Sequence, residues 1–245
     1  MSNIEVLDQT FSNLISSSEL GKKLVVLSRP IVAEHLKMCL EDRKLDFNSI
    51  GNPRERLIRQ SASAYYNLIS VASDLDKVIY FLSMERTHIL ANYPQISIKD
   101  YYNYHLQNYL IRINSVPDIL VFIGNIICKW GLKRRNCNIN GLTGRRNRKK
   151  KIDRYILKKI QFISSNIKEI KNKRNSIIHQ GYAEIHYFDN SLCWEICPDL
   201  GIDLTDDMKE YIENNKVKAI NVIKKEIYDI LNPTVDILNI YNKKL

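Results

Sequence analysis

Apolar residues recur at helical spacing along most of the chain, and this periodicity constrains the fold more than any other feature of the sequence. A pattern that opens at Ser97 has Asp100 three positions later, a weaker form of the capping box that starts many helices. The four long patterns cover roughly residues 54–90, 97–130, 152–179 and 205–231. Helices of this length suit a bundle, so the sequence predicts an all-α fold built on four long helices.

Prolines mark several predicted helix boundaries. Ser28 and Pro30 have the residue types of a cap and first turn, which predicts a helix from there to about Asp42. Pro117 lies inside the second long pattern and lacks a backbone donor, so we expect a kink or a short break just before it. The same reasoning ends the last long helix before Pro233, with a shorter helical piece after it.

Two changes of pattern divide the chain. A loop at residues 48–53, rich in helix breakers, separates an N-terminal helical extension at residues 1–50 from a helical domain at residues 51–245. Within that domain, residues 182–197 lose the helical period and are divided by an Asp-Asn dipeptide, which predicts a small β-hairpin. We expect the extension to pack on the bundle and the hairpin to cover one end of it.

The chain is strongly basic, with a formal net charge of +10 and a pI near 9.3. This balance favours a polyanionic partner, either nucleic acid or an anionic membrane surface. No apolar run approaches the roughly 18 uninterrupted residues of a membrane span, and the N-terminus lacks the features of a signal peptide. We therefore expect a cytoplasmic protein that does not enter the membrane.

The cysteines and acidic residues show no pattern typical of a metal site. The five cysteines are odd in number and include no C-x-x-C pair, which predicts buried or half-buried free thiols. Asp, Glu and His residues do not cluster at ligand spacing, and no phosphate-binding glycine loop is present. The sequence predicts no cofactor and no metal.

One stretch concentrates the positive charge. Residues 133–151 contain nine basic residues and no acidic one, and Gly141 and Gly144 are expected to break any helix there. We predict a mobile basic loop that attracts RNA phosphates, with a merely solvated charged loop as the alternative. The predicted RNA-binding residues are Lys133, Arg134, Arg135, Arg145, Arg146, Arg148, Lys149, Lys150 and Lys151.

The third long helical pattern ends in the sequence Arg174-Asn-Ser-Ile-Ile-His179. An arginine can hold a phosphate while a histidine moves a proton, so the pair suits RNA cleavage. Arg174 falls on an apolar seam, and Asn175 lies four positions before His179 and so shares its face of a helix. The seam residues are Ile152, Ile156, Ile163, Ile167 and Ile170. The alternative for Arg174 is a buried structural ion pair.

Gly181 lies just beyond this motif and is a typical helix-ending residue. It would place His179 in the last turn, where the helix dipole favours the protonated imidazole. A second arginine–histidine match, Arg29 with His35, has none of these features, because Arg29 precedes Pro30 at a predicted helix start. We therefore favour the later motif.

The Arg-Asn-x3-His signature, late in an all-helical chain, resembles the HEPN family (higher eukaryotes and prokaryotes nucleotide-binding domains) over roughly residues 55–242. The resemblance implies a HEPN-like bundle and a metal-independent ribonuclease with Arg174, Asn175 and His179 as its catalytic residues. It also implies a homodimer, a toxin or antiphage role, and a possible antitoxin or regulatory partner. Some members have a modified tyrosine two positions after the histidine. This chain has Gly181 at that position and a tyrosine, Tyr182, one position beyond it.

The resemblance implies cleavage by attack of the ribose 2′-hydroxyl, which leaves a 2′,3′-cyclic phosphate. The alternative is a catalytically inactive helical module that binds RNA or a protein partner through the basic loop. Several tyrosines could stack on bases, although half-buried packing is their more usual role on helices. They are Tyr65, Tyr66, Tyr101, Tyr102, Tyr104 and Tyr109.

Overall fold

The computed structural model describes residues 9–42, 51–144, 152–168, 170, 172, 197 and 202–245, and every regular element in these ranges is helical. The prediction of an all-α fold is confirmed. The α-helices are α1 (Phe11–Ser16), α2 (Glu19–Asp42), α3 (Pro53–Leu82), α4 (Arg86–Asn92), α5 (Ile98–Ile127), α6 (Ile139–Thr143), α7 (Arg154–Asn166) and α8 (Asp206–Asn242). A 3-10 helix spans Arg134–Asn136.

The chain divides into two compact units. The first comprises Met1–Ser73, Ser115–Asn166 and Ile230–Leu245, and the second comprises Asp74–Asn114 and Ile167–Asp229. Both units have an apolar interior supplied by the buried faces of their helices. The division into an extension at 1–50 and a domain at 51–245 stays a prediction.

In the first unit, buried hydroxyl groups tie α1 and the start of α2 to α3. The Tyr65 hydroxyl donates to the backbone oxygen of Ile15 at 2.8 Å and lies 3.3 Å from the Ser18 hydroxyl. The backbone N–H of Glu19 donates to the side-chain oxygen of Asn239 at 2.8 Å, so a residue of α8 satisfies a free donor at the start of α2. These bonds fix the N-terminal helices within this unit.

In the second unit, buried polar side chains bond to residues far away in the sequence. The Tyr109 hydroxyl donates to the Glu226 carboxylate at 2.6 Å, which links α5 to α8. The Lys216 ammonium donates to the backbone oxygen of Met84 at 2.9 Å, just past the end of α3. Both bonds hold distant segments of the sequence together within this unit.

The observed helices differ from the predicted ones mainly at prolines. The α2 helix begins at Glu19 and continues through Pro30, so the predicted start at Ser28 is wrong. The α5 helix continues through Pro117 without the predicted break, and α8 continues through Pro233. A proline costs about 3 kcal/mol inside a helix. Around Pro117 and Pro233, the burial of apolar residues on both sides of the proline opposes that cost.

The predicted helix over 54–90 is two helices in the structure. The first of them, α3, ends at Leu82, and the second, α4, begins at Arg86. The Ser83 hydroxyl donates to the Ile79 carbonyl at 2.7 Å, satisfying one of the terminal groups of α3. The apolar period of the sequence continues across this short interruption and therefore does not mark it.

Among the described helices, only α5 has the length and the apolar composition that a membrane span needs. Half of its most apolar 18-residue stretch is buried inside the protein. Buried core helices meet the same test. Its side chain Asn114 donates to the Leu110 carbonyl at 2.7 Å within the buried region. Length and composition alone therefore assign no membrane span.

Candidate functional site

The predicted catalytic residues Arg174, Asn175 and His179 lie outside the residues that the structure describes. The same holds for Tyr182 and for the predicted hairpin at 182–197, apart from Cys197, which is helical rather than extended. Six of the nine predicted RNA-binding residues also lie outside: Arg145, Arg146, Arg148, Lys149, Lys150 and Lys151. The structure describes the helix that precedes the motif and the first part of the basic stretch.

Isoleucines at helical spacing are buried in α7 and in the residues that follow it in the sequence, just before the motif. The seam advances by steps of four, three, four and three residues, the spacing of one helical face. Its buried members are Ile156, Ile160, Ile163, Ile167 and Ile170. The predicted seam is confirmed through Ile170, with Ile160 as a member that the prediction omitted and Ile152 only half-buried at its start.

The ends of α7 differ from the prediction of one helix over 152–179. It begins at Arg154, where the Asp153 carboxylate accepts a bond from the backbone N–H of Tyr155 at 2.9 Å as a cap. It ends at Asn166, and Ile167 is in a turn. Residues 168, 170 and 172 are helical again. Ile167 and Ile170 are both buried as well.

The first part of the basic stretch is folded, not a mobile loop as predicted. The Asn125 side chain accepts from the backbone N–H of Leu132 at 2.8 Å and donates to the oxygen of Leu132 at 3.1 Å. The Asp118 carboxylate accepts from the backbone N–H of Ile139 at 3.3 Å. Two side chains of α5 therefore fix this segment at both ends.

Gly141 does not break the helix as predicted but lies inside α6. Asn138 caps that helix by accepting from the backbone N–H of Gly141 at 2.7 Å. A Cβ at position 141 would lie 2.1 Å from the Asn136 oxygen, so the segment needs a glycine for close packing. Gly144 lies just past the helix as its C-cap.

The three described cations of this stretch, Lys133, Arg134 and Arg135, are all exposed. They form no ion pair with the part of the chain that the structure describes. Arg134 and Arg135 lie in the 3-10 helix, which the Asn125 contacts position. Exposed cations on an anchored segment can contact an anionic ligand with a smaller loss of conformational entropy than cations on an unanchored chain.

The second arginine–histidine match does not form a site. His35 is buried, and its Nδ1 lies 2.9 Å from the Arg59 guanidinium of α3. Arg29 is exposed and, at six positions' separation, lies about 120° away from His35 around the helix. His35 thus contacts a different arginine from the one that sequence spacing suggested.

Most of the candidate stacking tyrosines are buried. Tyr65, Tyr101, Tyr102 and Tyr109 are each at most 5% exposed, and burial raises the pKa of Tyr101 to about 12. These four pack in the core. Tyr66 and Tyr104 are exposed by 48% and 63% and stay candidates for stacking.

The described cysteines are free thiols, buried or half-buried as predicted, while Cys193 lies outside the described residues. Burial raises the pKa of the Cys128 thiol, which keeps it protonated and unreactive at neutral pH. Within the described ranges, no three His, Cys, Asp or Glu side chains come together as metal ligands would.

A surface groove of about 550 Å³ lies beside α7 and was not predicted. All of its residues belong to the first unit. Its lining residues are Tyr155, Lys158, Lys159 and Phe162 of α7 and Asn232, Pro233 and Asp236 of α8. The sequence signal for its α7 side is a pair of aromatic residues seven positions apart that lie off the isoleucine seam.

The fold defines an all-α protein, and comparison with known families identifies which one. A family model described as HEPN_Cthe2314-like HEPN matches residues 56–241, which is most of the chain. The chain therefore belongs to the HEPN family, whose domains are nucleotide-binding or ribonuclease-like modules. No match is found among curated proteins or among solved structures.

Proposed function

We propose that this protein is a metal-independent RNA endonuclease of HEPN type. The observation that carries the proposal is the family match over 56–241, which spans the Arg174-to-His179 motif. The four-three spacing of the buried α7 seam, continued along the sequence, reaches Arg174 four positions after Ile170. Binding of a phosphate would explain why an arginine occupies a position that the spacing otherwise gives to isoleucine.

The proposed chemistry needs only the side chains of the motif and the RNA itself. The ribose 2′-hydroxyl attacks the adjacent phosphate, and the products are a 2′,3′-cyclic phosphate and a 5′-hydroxyl. His179 moves one proton, as general base or general acid, and the partner for the other proton transfer comes from a second subunit. Arg174 holds the scissile phosphate and stabilises its developing charge. Asn175 orients the phosphate or the imidazole.

The proposal extends to the biological setting of the enzyme. We place it in the cytoplasm as a homodimer, acting as a growth-arresting toxin or an antiphage effector, with an antitoxin or regulatory protein as a possible partner. Lys133, Arg134 and Arg135, together with the six cations of 145–151, bring RNA to the protein. DNA lacks the 2′-hydroxyl and is not cleaved.

A second function is favoured by one observation. Lys133, Arg134 and Arg135 are exposed on a folded segment. Such a surface also suits a catalytically inactive helical module that binds RNA or a protein partner. Both functions predict RNA binding that weakens with salt, but only the enzyme predicts a break that depends on His179.

The test is to incubate purified protein with total RNA and end-labelled tRNA in EDTA, beside His179→Ala and Arg174→Ala variants. Matched controls are His88→Ala and Arg54→Ala, which remove the same residue types from exposed positions elsewhere. Wild type and both controls should release fragments with cyclic-phosphate ends, and the two motif variants should not. Intact RNA that all the folded proteins bind equally would favour the inactive module. Cleavage by His179→Ala at the wild-type rate would exclude the proposed centre.

A further inference from the structure

Two aromatic side chains of α7 project from the protein surface instead of packing in the core. Tyr155 is 57% exposed and Phe162 is 55% exposed. Seven positions separate them, so they share one face of α7 at about 10 Å along its axis. Both line the groove beside α8, whose Pro233 contributes a further apolar surface. An arrangement that leaves two large rings exposed at one groove is typical of a binding surface.

The charge of the groove is positive on its α7 side. Lys158 is exposed and forms no ion pair with any residue that the structure describes. Lys159 donates to the Asp236 carboxylate at 2.6 Å and lies 5.3 Å from the centre of the Tyr155 ring. The bond to Asp236 raises the pKa of Lys159, which therefore stays protonated at neutral pH. Both lysines thus lie between the two rings in the sequence of α7.

The combination of rings and lysines suits one class of ligand better than others. Single-stranded nucleic acid presents unpaired bases that stack on aromatic side chains and phosphates that attract cations. A duplex keeps its bases stacked inside and would leave the two rings without a partner. An apolar helix would not complement the charge of Lys158, which no described residue neutralises. An acidic peptide would not need two exposed rings.

The position of the groove in the chain supports the same ligand. Residues 145–151, with six cations, end three positions before Arg154, the first residue of α7. The groove lies on the first two turns of that helix, and the Arg174 motif follows later in the same stretch of sequence. In the sequence, Tyr155 is therefore the first residue of the groove after the basic stretch.

We propose that this groove is a stacking platform for single-stranded RNA, with Tyr155 and Phe162 each taking one base and Lys158 contacting the intervening backbone. This rests on the proposed function for the identity of the ligand as RNA. The platform supplies affinity and moves no proton. Loss of either ring should therefore raise KM for RNA cleavage and leave kcat unchanged.

The test measures binding of a short fluorescent single-stranded RNA by anisotropy, with His179→Ala as the background so that the RNA stays intact. Tyr155→Ala and Phe162→Ala should each weaken binding by about 5- to 150-fold, the usual effect of losing one base-stacking ring. Tyr211→Ala is the matched control, because Tyr211 is 62% exposed on α8 outside the groove. It should bind as the background protein does. The same RNA in a duplex should bind more weakly and should not discriminate among the variants.

A direct readout protects the test against a variant that fails to fold. Phe162→Trp keeps a ring at this position and adds a third tryptophan to the two of the chain, so single-stranded RNA should quench its fluorescence more than that of the background protein. No additional quenching at saturating RNA would overturn the proposal. Equal binding by the alanine variants and the control would also overturn it while leaving the RNA endonuclease intact. No RNA binding by the background protein at all would overturn both proposals together.

Discussion

His105 is a buried histidine whose surroundings lower its pKa and make the stability of the fold depend on pH. It is 8% exposed, and its ring stacks on that of Phe81 with 4.6 Å between the ring centres. The rings of Tyr101 and Tyr104 meet it edge to face, with 4.6 and 5.1 Å between the ring centres. Burial lowers the pKa of His105 from 6.5 to about 4, because the imidazolium loses its hydration among these rings. The folded protein therefore holds this histidine neutral.

The charged groups in the cleft beside His105 do not offset this effect. They are Asp74, Lys77 and Arg112. The Asp74 carboxylate is already paired with Lys77 at 3.2 Å and Arg112 at 3.1 Å. With its negative charge shared between two cations, Asp74 has little left to stabilise a protonated imidazole. Burial therefore dominates the pKa of His105.

Stability should fall as the pH drops through the window between the two pKa values of His105. Below about pH 6.5 the unfolded chain binds a proton that the folded chain binds only below about pH 4. The free energy of unfolding should decrease across this window by up to about 3 kcal/mol and then level off for this group. His105→Phe keeps the ring stack but cannot titrate, so it should lose this part of the pH dependence. Urea unfolding near pH 7 and near pH 4.5 measures the difference.

His88→Phe is the control for this measurement, because His88 is exposed. It should keep the pH dependence of the wild type. Equal pH dependence in the wild type and in His105→Phe would show that His105 titrates alike in the folded and unfolded chains.

Helices are where the sequence is most informative, and prolines are where it misleads. Periodicity alone finds the buried seam of α7, because the same spacing that makes a pattern in the sequence makes one face of a helix. The prolines predict helix boundaries at Pro30 and Pro233, yet α2 continues through Pro30 and α8 continues through Pro233. The local cost of a proline is visible in the sequence, whereas the packing that outweighs it depends on neighbours far along the chain.

The candidate site was predictable to a similar degree. The family and the motif follow from local residue types, and the match over 56–241 supports the family. The groove beside α7 could not be predicted, since Tyr155 and Pro233 lie far apart in the sequence and only folding brings them together. Residue type alone predicts a helix break at Gly141, because the close approach to Asn136 that requires a glycine there depends on the fold around it.

The segment between α5 and α6 makes an element-level prediction through Asn125. Asn125→Ala removes both bonds to the Leu132 backbone and should lower the free energy of unfolding by about 1–3 kcal/mol, because a donor and an acceptor lose their partners. Hydrogen exchange of the Leu132 amide should accelerate more than exchange in the middle of α5.

Asn125→Asp is the matched variant. It keeps an oxygen for the Leu132 N–H but sets a carboxylate oxygen against the Leu132 carbonyl. It should retain more protection of the Leu132 amide than alanine does, without regaining full stability. Unchanged exchange in Asn125→Ala would show that the segment is held by other contacts.

Over the whole molecule, positive charge is concentrated instead of spread evenly. The chain has 37 Lys and Arg residues, and nine of them lie within residues 133–151, where no acidic residue offsets them. If RNA binding used the net charge alone, the position of a removed cation would not matter. If it uses this stretch, each cation there that contacts a phosphate releases counterions on binding and adds to the salt dependence.

A charge-matched comparison separates the two cases. Replacing Lys133, Arg134 and Arg135 by serine should reduce the slope of log affinity against log salt by about 2, since each phosphate contact with a single strand contributes about 0.7. The control replaces Lys99, Lys218 and Lys225, which are exposed on α5 and α8, and removes the same charge. Its slope should stay close to that of the parent protein. Titration of labelled RNA over a range of salt, with His179→Ala as the parent, gives both slopes. Equal reductions in the two triple variants would assign RNA binding to the overall field of the protein and not to the 133–135 segment.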